Sequence, residues 1–184
     1  VGVGVLSLGL GIVSAWMVAR FRFPGVTIIE WSLLLPATIP AYIIAYTYTD
    51  LLEFAGPVQG LIRDYFGWTQ AGEYWFPEIR SLGGAIFVMS FVLYPYIYLM
   101  TKTALRLTSP SYIELARLSK PLSAVWVDLY LARPAIIAGL ALVLMEVLSD
   151  FGTVEYFTVE TITLGIFNIW LGMNNLTAAA QIAG

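Results

Sequence analysis

Residues 81–101 have the sequence SLGGAIFVMSFVLYPYIYLMT, which contains no charged side chain. An apolar run of roughly 18 residues or more is long enough to cross the hydrocarbon core of a bilayer as a helix. Comparable uncharged runs occupy residues 1–19, 31–49 and 161–184. The sequence therefore predicts an all-α fold, a polytopic bundle of membrane-spanning helices that forms a single domain over residues 1–184.

The composition of the whole chain agrees with a membrane protein. Of its 184 residues, 59% are hydrophobic and 11% are charged, whereas a soluble globular domain has roughly 25% charged residues. The net charge of −3 argues against a nucleic-acid partner. Because the chain contains neither Cys nor His, disulfides, thiol nucleophiles, common zinc sites and His-based acid–base chemistry are excluded.

The apolar runs predict about four to five spans that contact the lipid bilayer. We place them at residues 1–19, 28–49, 81–101 and 134–148, with a fifth beginning near residue 178. The first has no basic residue before it and no cleavage pattern after it. We therefore expect a spanning helix whose beginning is missing, not a signal peptide.

Two features of these spans predict how helices pack. Ser7, Gly11 and Ala15 recur every four residues, a spacing that lets another helix approach closely, although chance explains it equally well in a Gly- and Ala-rich helix. Pro36 and Pro40 remove backbone donors and bend the second span. Because the freed carbonyls need partners in lipid, we expect this span inside the bundle, either as a packing kink or as a hinge that lines a pathway.

The polar stretches predict the two sides of the membrane. Residues 50–80 form an external loop rich in Trp and Tyr, with a short interfacial helix near 58–66, and residues 150–160 form a second external loop before a surface helix near 162–171. Seven of the nine basic residues then face the cytoplasm, as the positive-inside rule requires. They are Arg20, Arg22, Lys102, Arg106, Arg117, Lys120 and Arg133.

The cytoplasmic segment, residues 102–133, contains its own predicted helix. Ser109 and Pro110 suit the cap and the first position of a helix, and Pro121 prevents its continuation. An amphipathic helix at this surface has two explanations. It rests on the membrane, or it fits a groove on a partner protein.

This segment also resembles a known family. Glu114-Leu115-Ala116-Arg117, followed by Leu131-Ala132-Arg133-Pro134-Ala135-Ile136, is similar to the coupling motif of permease subunits of binding-protein-dependent ABC importers. The resemblance to the iron(III) branch of that family covers nearly the whole chain. It is carried by Phe23-Pro24-Gly25, Leu35-Pro36-Ala37, Pro40-Ala41-Tyr42, residues 48–59, residues 74–84 and Asp150-Phe151-Gly152-Thr153-Val154.

The resemblance implies a permease-type bundle with a cytoplasmic coupling helix in a bacterial cytoplasmic (inner) membrane. It implies that iron(III) arrives on a periplasmic or extracellular binding protein, that a separate ABC ATPase subunit hydrolyses ATP, and that a second permease half or protomer completes the assembly. The implied ATPase contacts are Glu114, Ala116, Arg117 and Leu118, although Glu114 also suits a role as a helix cap. The chain itself has no Gly-x-x-x-x-Gly-Lys-Ser/Thr loop, so we expect neither enzyme activity nor a bound cofactor.

The chain departs from the family at the same segment. Ser119-Lys120-Pro121 stands where the family has glycine, Tyr130 replaces a usual proline, and the stretch from Glu114 to Arg133 is shortened. Only the first half of a two-half permease is matched. The alternative is therefore a non-transporting or degenerate relative whose loop no longer engages an ATPase. A secondary transporter is a weaker option, since only Glu146 suits a coupling site.

No residue is assigned as a metal ligand, but three are candidates for the cargo pathway. Glu146 and Asp150 are four residues apart, which predicts one helix face, and a carboxylate inside a span costs roughly 2.5–3.5 kcal/mol to insert. Tyr94 adds a phenol oxygen, a hard donor that suits a trivalent cation. The alternatives are a hydrogen bond from Glu146 to a neighbouring helix and an interfacial belt role for the tyrosine. The external loops are the expected docking surface of the binding protein.

Overall fold

The computed structural model describes residues 1–109, 112 and 123–183, and the regular elements in these ranges are all helices. In chain order they are α1 (Gly2–Arg20), α2 (Val26–Ser32), a 3-10 turn (Leu35–Thr38), α3 (Ala41–Leu52), α4 (Pro57–Phe66), a second 3-10 turn (Ala71–Glu73), α5 (Leu82–Leu107), α6 (Ser123–Ser149), α7 (Gly152–Tyr156), α8 (Ile162–Phe167), a π-helical turn (Asn168–Gly172) and α9 (Leu176–Ala183). The predicted all-α fold is confirmed.

Three of the described helices, α1, α5 and α6, are long and apolar enough to cross a membrane. The broken pair Val26–Thr38 and Ala41–Phe66 raises the number to four if it counts as one span. The chain is therefore a multi-pass membrane protein. Near the predicted start of a fifth span lies α9, which comprises Leu176–Ala183.

The second predicted span is not one continuous helix. α2 ends at Ser32, a 3-10 turn follows with Pro36 near its start, and α3 begins after Pro40. A proline has no amide hydrogen and its ring clashes with the preceding turn, so the α-helical ladder is interrupted at both positions. The predicted interruption of this span at the two prolines is confirmed.

Neighbouring tyrosines satisfy the carbonyls at this interruption. The Tyr94 hydroxyl donates to the Leu33 carbonyl at 2.9 Å, and the Tyr98 hydroxyl donates to the Glu30 carbonyl at 3.3 Å. Both tyrosines belong to α5 and are buried. Another helix thus supplies donors that the interrupted ladder lost, as expected. Because α2 and the 3-10 turn contain no buried residue, a position of this span inside the bundle stays a prediction.

The segment between the third and fourth spans is shorter than predicted. α5 continues through Lys102 to Leu107, and α6 begins at Ser123, so neither boundary of the predicted 102–133 loop coincides with a helix end. Pro134 lies inside α6 and not at its start. A single missing ladder bond is tolerated in a long helix when its neighbours re-satisfy the backbone.

The first of two compact units comprises Val1–Ile39 and Ser90–Glu146. Its helices α1, α5 and α6 meet at Ile97: a Cβ added to Gly11 would lie 2.8 Å from the Ile97 Cβ, and one added to Gly139 would lie 2.8 Å from the Ile97 Cα. Ser7, Gly11 and Ala15 are all buried along α1. The predicted close approach through small residues is confirmed.

The second unit comprises Pro40–Met89 and Val147–Gly184. In it, α3 packs against α7, with the Tyr46 and Tyr156 ring centroids 5.8 Å apart. The predicted helix near 58–66 corresponds to α4, and the one near 162–171 to α8 and the π-helical turn that continues it. The two predicted helices are confirmed, and their place at the membrane surface stays a prediction.

Candidate functional site at the base of the coupling segment

The predicted coupling residues lie outside the described residues. We call residues 108–122 the coupling segment; Glu114, Ala116, Arg117 and Leu118 all fall within it, at positions that the structure does not describe. At its start the Tyr112 amide donates to the Ser109 carbonyl at 3.2 Å. That bond agrees with the predicted helix start at Ser109. The rest of the site is formed by the helix ends that carry the segment.

The helix that follows the coupling segment is joined to α1 by a buried ion pair. Arg20, the last residue of α1, donates from Nε to Asp128 Oδ2 at 2.8 Å and from Nη2 to Asp128 Oδ1 at 2.5 Å. The Asp128 side chain is 2% exposed and that of Arg20 is 15% exposed. Two parallel charge-assisted bonds between planar groups define the orientation as well as the distance of the partners.

The helix that precedes the coupling segment is joined to α2 by a second group of charges. Lys102 Nζ donates to Glu30 Oε1 at 2.7 Å, and Arg106 donates to both carboxylate oxygens at 3.1 and 2.8 Å. The Lys102 ammonium also lies 5.1 Å from the centre of the Tyr98 ring. The side chains of Lys102 and Glu30 are both largely shielded from solvent.

Neither acidic partner was predicted from the sequence, in which Arg20, Lys102 and Arg106 served only as signals of topology. An acidic residue within an apolar helix is costly and marks a functional candidate, and that signal was available at Glu30 and Asp128. The identity of each partner was not available, because Arg20 and Asp128 are 108 residues apart in sequence.

The predicted external loop, residues 50–80, which we call the external segment, contains a cleft of about 630 Å³ within the second unit. It is lined by Leu52–Ala55, Gln59, Ala71 and Tyr74–Arg80.

Hydrogen bonds hold the walls of this cleft. The Tyr74 hydroxyl donates to Gln59 Oε1 at 2.6 Å and accepts from Arg63 at 3.1 Å. Arg80 binds Glu53 at its rim, and the carboxylate holds the pKa of the Arg80 guanidinium above its ordinary value. The cleft is thus a preformed, partly charged concavity on the predicted outer side.

The three pathway candidates have separate environments. α6 ends at Ser149, so Glu146 and Asp150 do not share a helix face, and that prediction is wrong. Asp150 Oδ1 accepts the Thr153 amide at 2.9 Å, since a short acidic side chain favours capping a following helix over continuing the previous one. Glu146 is exposed, and Tyr94 is committed to the Leu33 carbonyl.

A metal cluster is not formed among the residues that the structure describes. Within those ranges no three acidic side chains gather where they could hold an ion together. A role of Glu146, Asp150 or Tyr94 in the cargo pathway stays a prediction.

The fold defines a polytopic helical membrane protein. No protein-family model matches the sequence. The chain is 27% identical over 184 residues to the Fe(3+)-transport system permease protein FbpB 2 of Haemophilus influenzae, an alignment that covers 97% of the chain and 31% of that protein. It is 27% identical over 152 residues to the sulfate transport system permease protein CysT of Salmonella typhimurium, which covers 79% of the chain and 50% of that relative.

A third relative has a different cargo again. The chain is 26% identical over 159 residues to the molybdenum transport system permease protein ModB of Escherichia coli K12, which covers 83% of the chain and 65% of that protein. The chain thus spans less than two thirds of the length of each of these relatives. Because iron, sulfate and molybdenum permeases match at similar identity, the comparisons support the resemblance to binding-protein-dependent permeases as a family and not to its iron(III) branch. All three are named as permease proteins, in agreement with a transport subunit that is not itself an enzyme.

Proposed function

We propose that the chain is a membrane-spanning part of an ATP-driven importer of a bacterial inner membrane, in which a separate ATPase subunit acts on the coupling segment. The observation that carries this proposal is that a long helix continues up to each end of the segment. α5 runs as a helix up to Leu107 and α6 starts at Ser123, so displacement of the segment is passed directly into two spans. A loop joined to its spans by flexible chain would dissipate that displacement.

Within this function, Glu114, Ala116, Arg117 and Leu118 are the proposed ATPase contacts. A short amphipathic helix that docks in a groove of a partner transmits force along its axis. The chain also lacks the phosphate-binding loop needed to hydrolyse ATP itself. The ATP is therefore used by the partner subunit.

Iron(III) is the proposed cargo, delivered by an external binding protein. The alignment with the iron permease covers 97% of the chain, against 79% and 83% for the sulfate and molybdenum permeases. The absence of an acidic cluster within the described ranges is compatible with selectivity that resides in the binding protein. The external cleft, with the exposed Trp75 beside it, is the proposed docking surface.

Co-purification tests the proposal. The full-length protein, expressed with its transport operon, is expected to retain an ATPase subunit, and Glu114→Lys should abolish that association. Glu160→Lys is the matched control, because it makes the same charge change at an exposed position in the predicted outer loop. If the parent protein retains no ATPase, the shortened coupling stretch belongs to a non-transporting relative and the proposed function is wrong.

A further inference from the structure

We infer that the hairpin formed by α1 and α2 clamps the two helix ends that flank the coupling segment through two ion-pair anchors, and that these anchors make α1, α2, α5 and α6 move as one frame. The first anchor is Arg20 with Asp128, and the second is Glu30 with Lys102 and Arg106. These are positioning residues for transport. Their role in coupling rests on the proposed function, whereas the clamp itself is a property of this chain alone.

The positions of the anchors carry the inference. Lys102 and Arg106 occupy the last turns of α5, immediately before the coupling segment, and Asp128 occupies the first turns of α6, immediately after it. Their partners, Arg20 and Glu30, lie on either side of the short turn between α1 and α2. One hairpin thus holds both helix ends that flank the segment, and each helix end is held by its own charge contact.

The burial of the anchors separates them from ordinary surface pairs. The Arg80–Glu53 pair of the external segment has an arginine side chain that is 45% exposed, and pairs of that kind contribute little. Asp128 is shielded almost completely and is held by two donors of one guanidinium. Removing one partner leaves a buried charge without compensation.

Stability alone does not explain such a pair. A well-packed apolar pair of similar volume stabilises a fold as well as a buried ion pair does, or better. What the bidentate pair adds is a defined mutual orientation of α1 and α6. The second anchor does the same for α2 and α5 through three donor atoms on one carboxylate.

The consequence is mechanical. When the coupling segment is displaced, α5 and α6 cannot move without α1 and α2, so the displacement reaches the helices that surround the bundle core. In a variant that lacks one anchor, the ATPase still binds and hydrolyses ATP, but α1 or α2 no longer follows the full movement of α6 or α5. We therefore expect uncoupling, with binding of the ATPase retained.

Two readouts test the clamp in the full-length protein. The first is a distance measurement by electron paramagnetic resonance between spin labels at Met17→Cys and Trp126→Cys, both exposed positions in a chain without native cysteine. The parent is expected to give a narrow distribution that Asp128→Asn broadens and that the exchange Arg20→Asp with Asp128→Arg narrows again. Arg22→Ala, at an exposed arginine two residues from Arg20, is the control that should leave the width unchanged.

The second readout is the number of ATP molecules hydrolysed per cargo ion transported in proteoliposomes containing the complete importer. We expect this ratio to rise severalfold for Arg20→Ala, with the ATPase still bound. Glu30→Gln should raise the ratio in the same direction. The charge exchange should restore it, which a merely destabilised protein would not do.

The outcomes distinguish the clamp from the proposed function. An unchanged distance distribution in Asp128→Asn overturns the clamp whether or not an ATPase exists. Parental coupling in Arg20→Ala overturns its role in transport while leaving the proposed function intact. A parent protein that retains no ATPase contradicts the proposed function, and the coupling role is then wrong even if the distance measurement shows the anchors to be rigid.

Discussion

At the scale of single residues, the packing of the first unit depends on side chains that are absent or small. Gly11 and Gly139 bring α1 and α6 close to Ile97 of α5, and Ser7 and Ser90 each donate to a carbonyl of the other's helix at 3.4 Å. Lipid does not drive apolar helices together as water does, so close contact and interhelical hydrogen bonds supply the association energy. Small changes at these positions should therefore be costly.

Adding one methyl group at Gly11 tests this close contact. Gly11→Ala would place a Cβ 2.8 Å from the Ile97 Cβ, which cannot swing aside, and overpacking of a tight contact typically costs about 1–3 kcal/mol. We expect a lower unfolding temperature in detergent. Gly9→Ala, on the same helix with nothing within 4 Å of the added atom, should leave it unchanged, and equal effects at the two positions would contradict the packing.

Removing the Tyr94 hydroxyl tests whether it satisfies the carbonyl left free where the second span is interrupted. Tyr94→Phe would deprive the Leu33 carbonyl of its 2.9 Å donor, and an unsatisfied buried acceptor costs about 1–3 kcal/mol. We expect a matching loss of unfolding free energy. Tyr96→Phe is the control, since Tyr96 lies on the same helix but is 38% exposed. If the two variants are equally stable, the Tyr94 hydroxyl is not what satisfies the interruption.

At the scale of elements, the outer segment is held by short-range caps. Glu73 Oε2 accepts the amides of Thr69 at 2.6 Å and Gln70 at 3.0 Å, which closes a capping box around the second 3-10 turn. The bond from Gln70, and after it the bond from Thr69, hold the pKa of Glu73 below its ordinary value. The turn is thus stabilised by a charge that lies in a predicted external loop and can be titrated.

Acidification should loosen this turn in a defined direction. The pKa of Glu73 is lower in the folded chain than in the unfolded one. The stabilisation that its carboxylate gives the folded turn is therefore fully present above the ordinary glutamate pKa, and it is lost as the pH falls through the lowered pKa. We expect the Thr69 and Gln70 amide resonances to titrate below the ordinary glutamate range. Glu73→Gln should abolish that titration, and a midpoint at or above the ordinary range would contradict the cap.

At the scale of the whole molecule, the arrangement of charge along the chain predicts its sidedness. The two anchors gather Arg20, Lys102 and Arg106 around Glu30 and Asp128 at the predicted inner side. The external segment has its own pairs, such as Arg80 with Glu53. Basic residues concentrated near the ends of spans orient a membrane protein with those ends toward the cytoplasm.

Cysteine labelling tests this orientation directly, because the chain has no native cysteine. Ser111→Cys, in the coupling segment, should be protected in intact cells from a thiol reagent that cannot cross the membrane and should react after the cells are opened. Ala71→Cys, an exposed position in the external segment, should react in intact cells. The reverse pattern would contradict the proposed function as well as the topology.

The amino-acid sequence alone was sufficient for the helical fold, the positions of most spans, the interruption at Pro36 and Pro40, and the helices near 58–66 and 162–171, because hydropathy, proline and capping act over a few neighbouring residues. It was insufficient for the helix ends beside the coupling segment and for the partners of Glu30 and Asp128. Those partners lie 72 and 108 residues away, and only the packing of four helices brings them within bonding distance. An acidic side chain within an apolar helix predicts that a partner of opposite charge is required, and only the tertiary structure shows which residue that partner is.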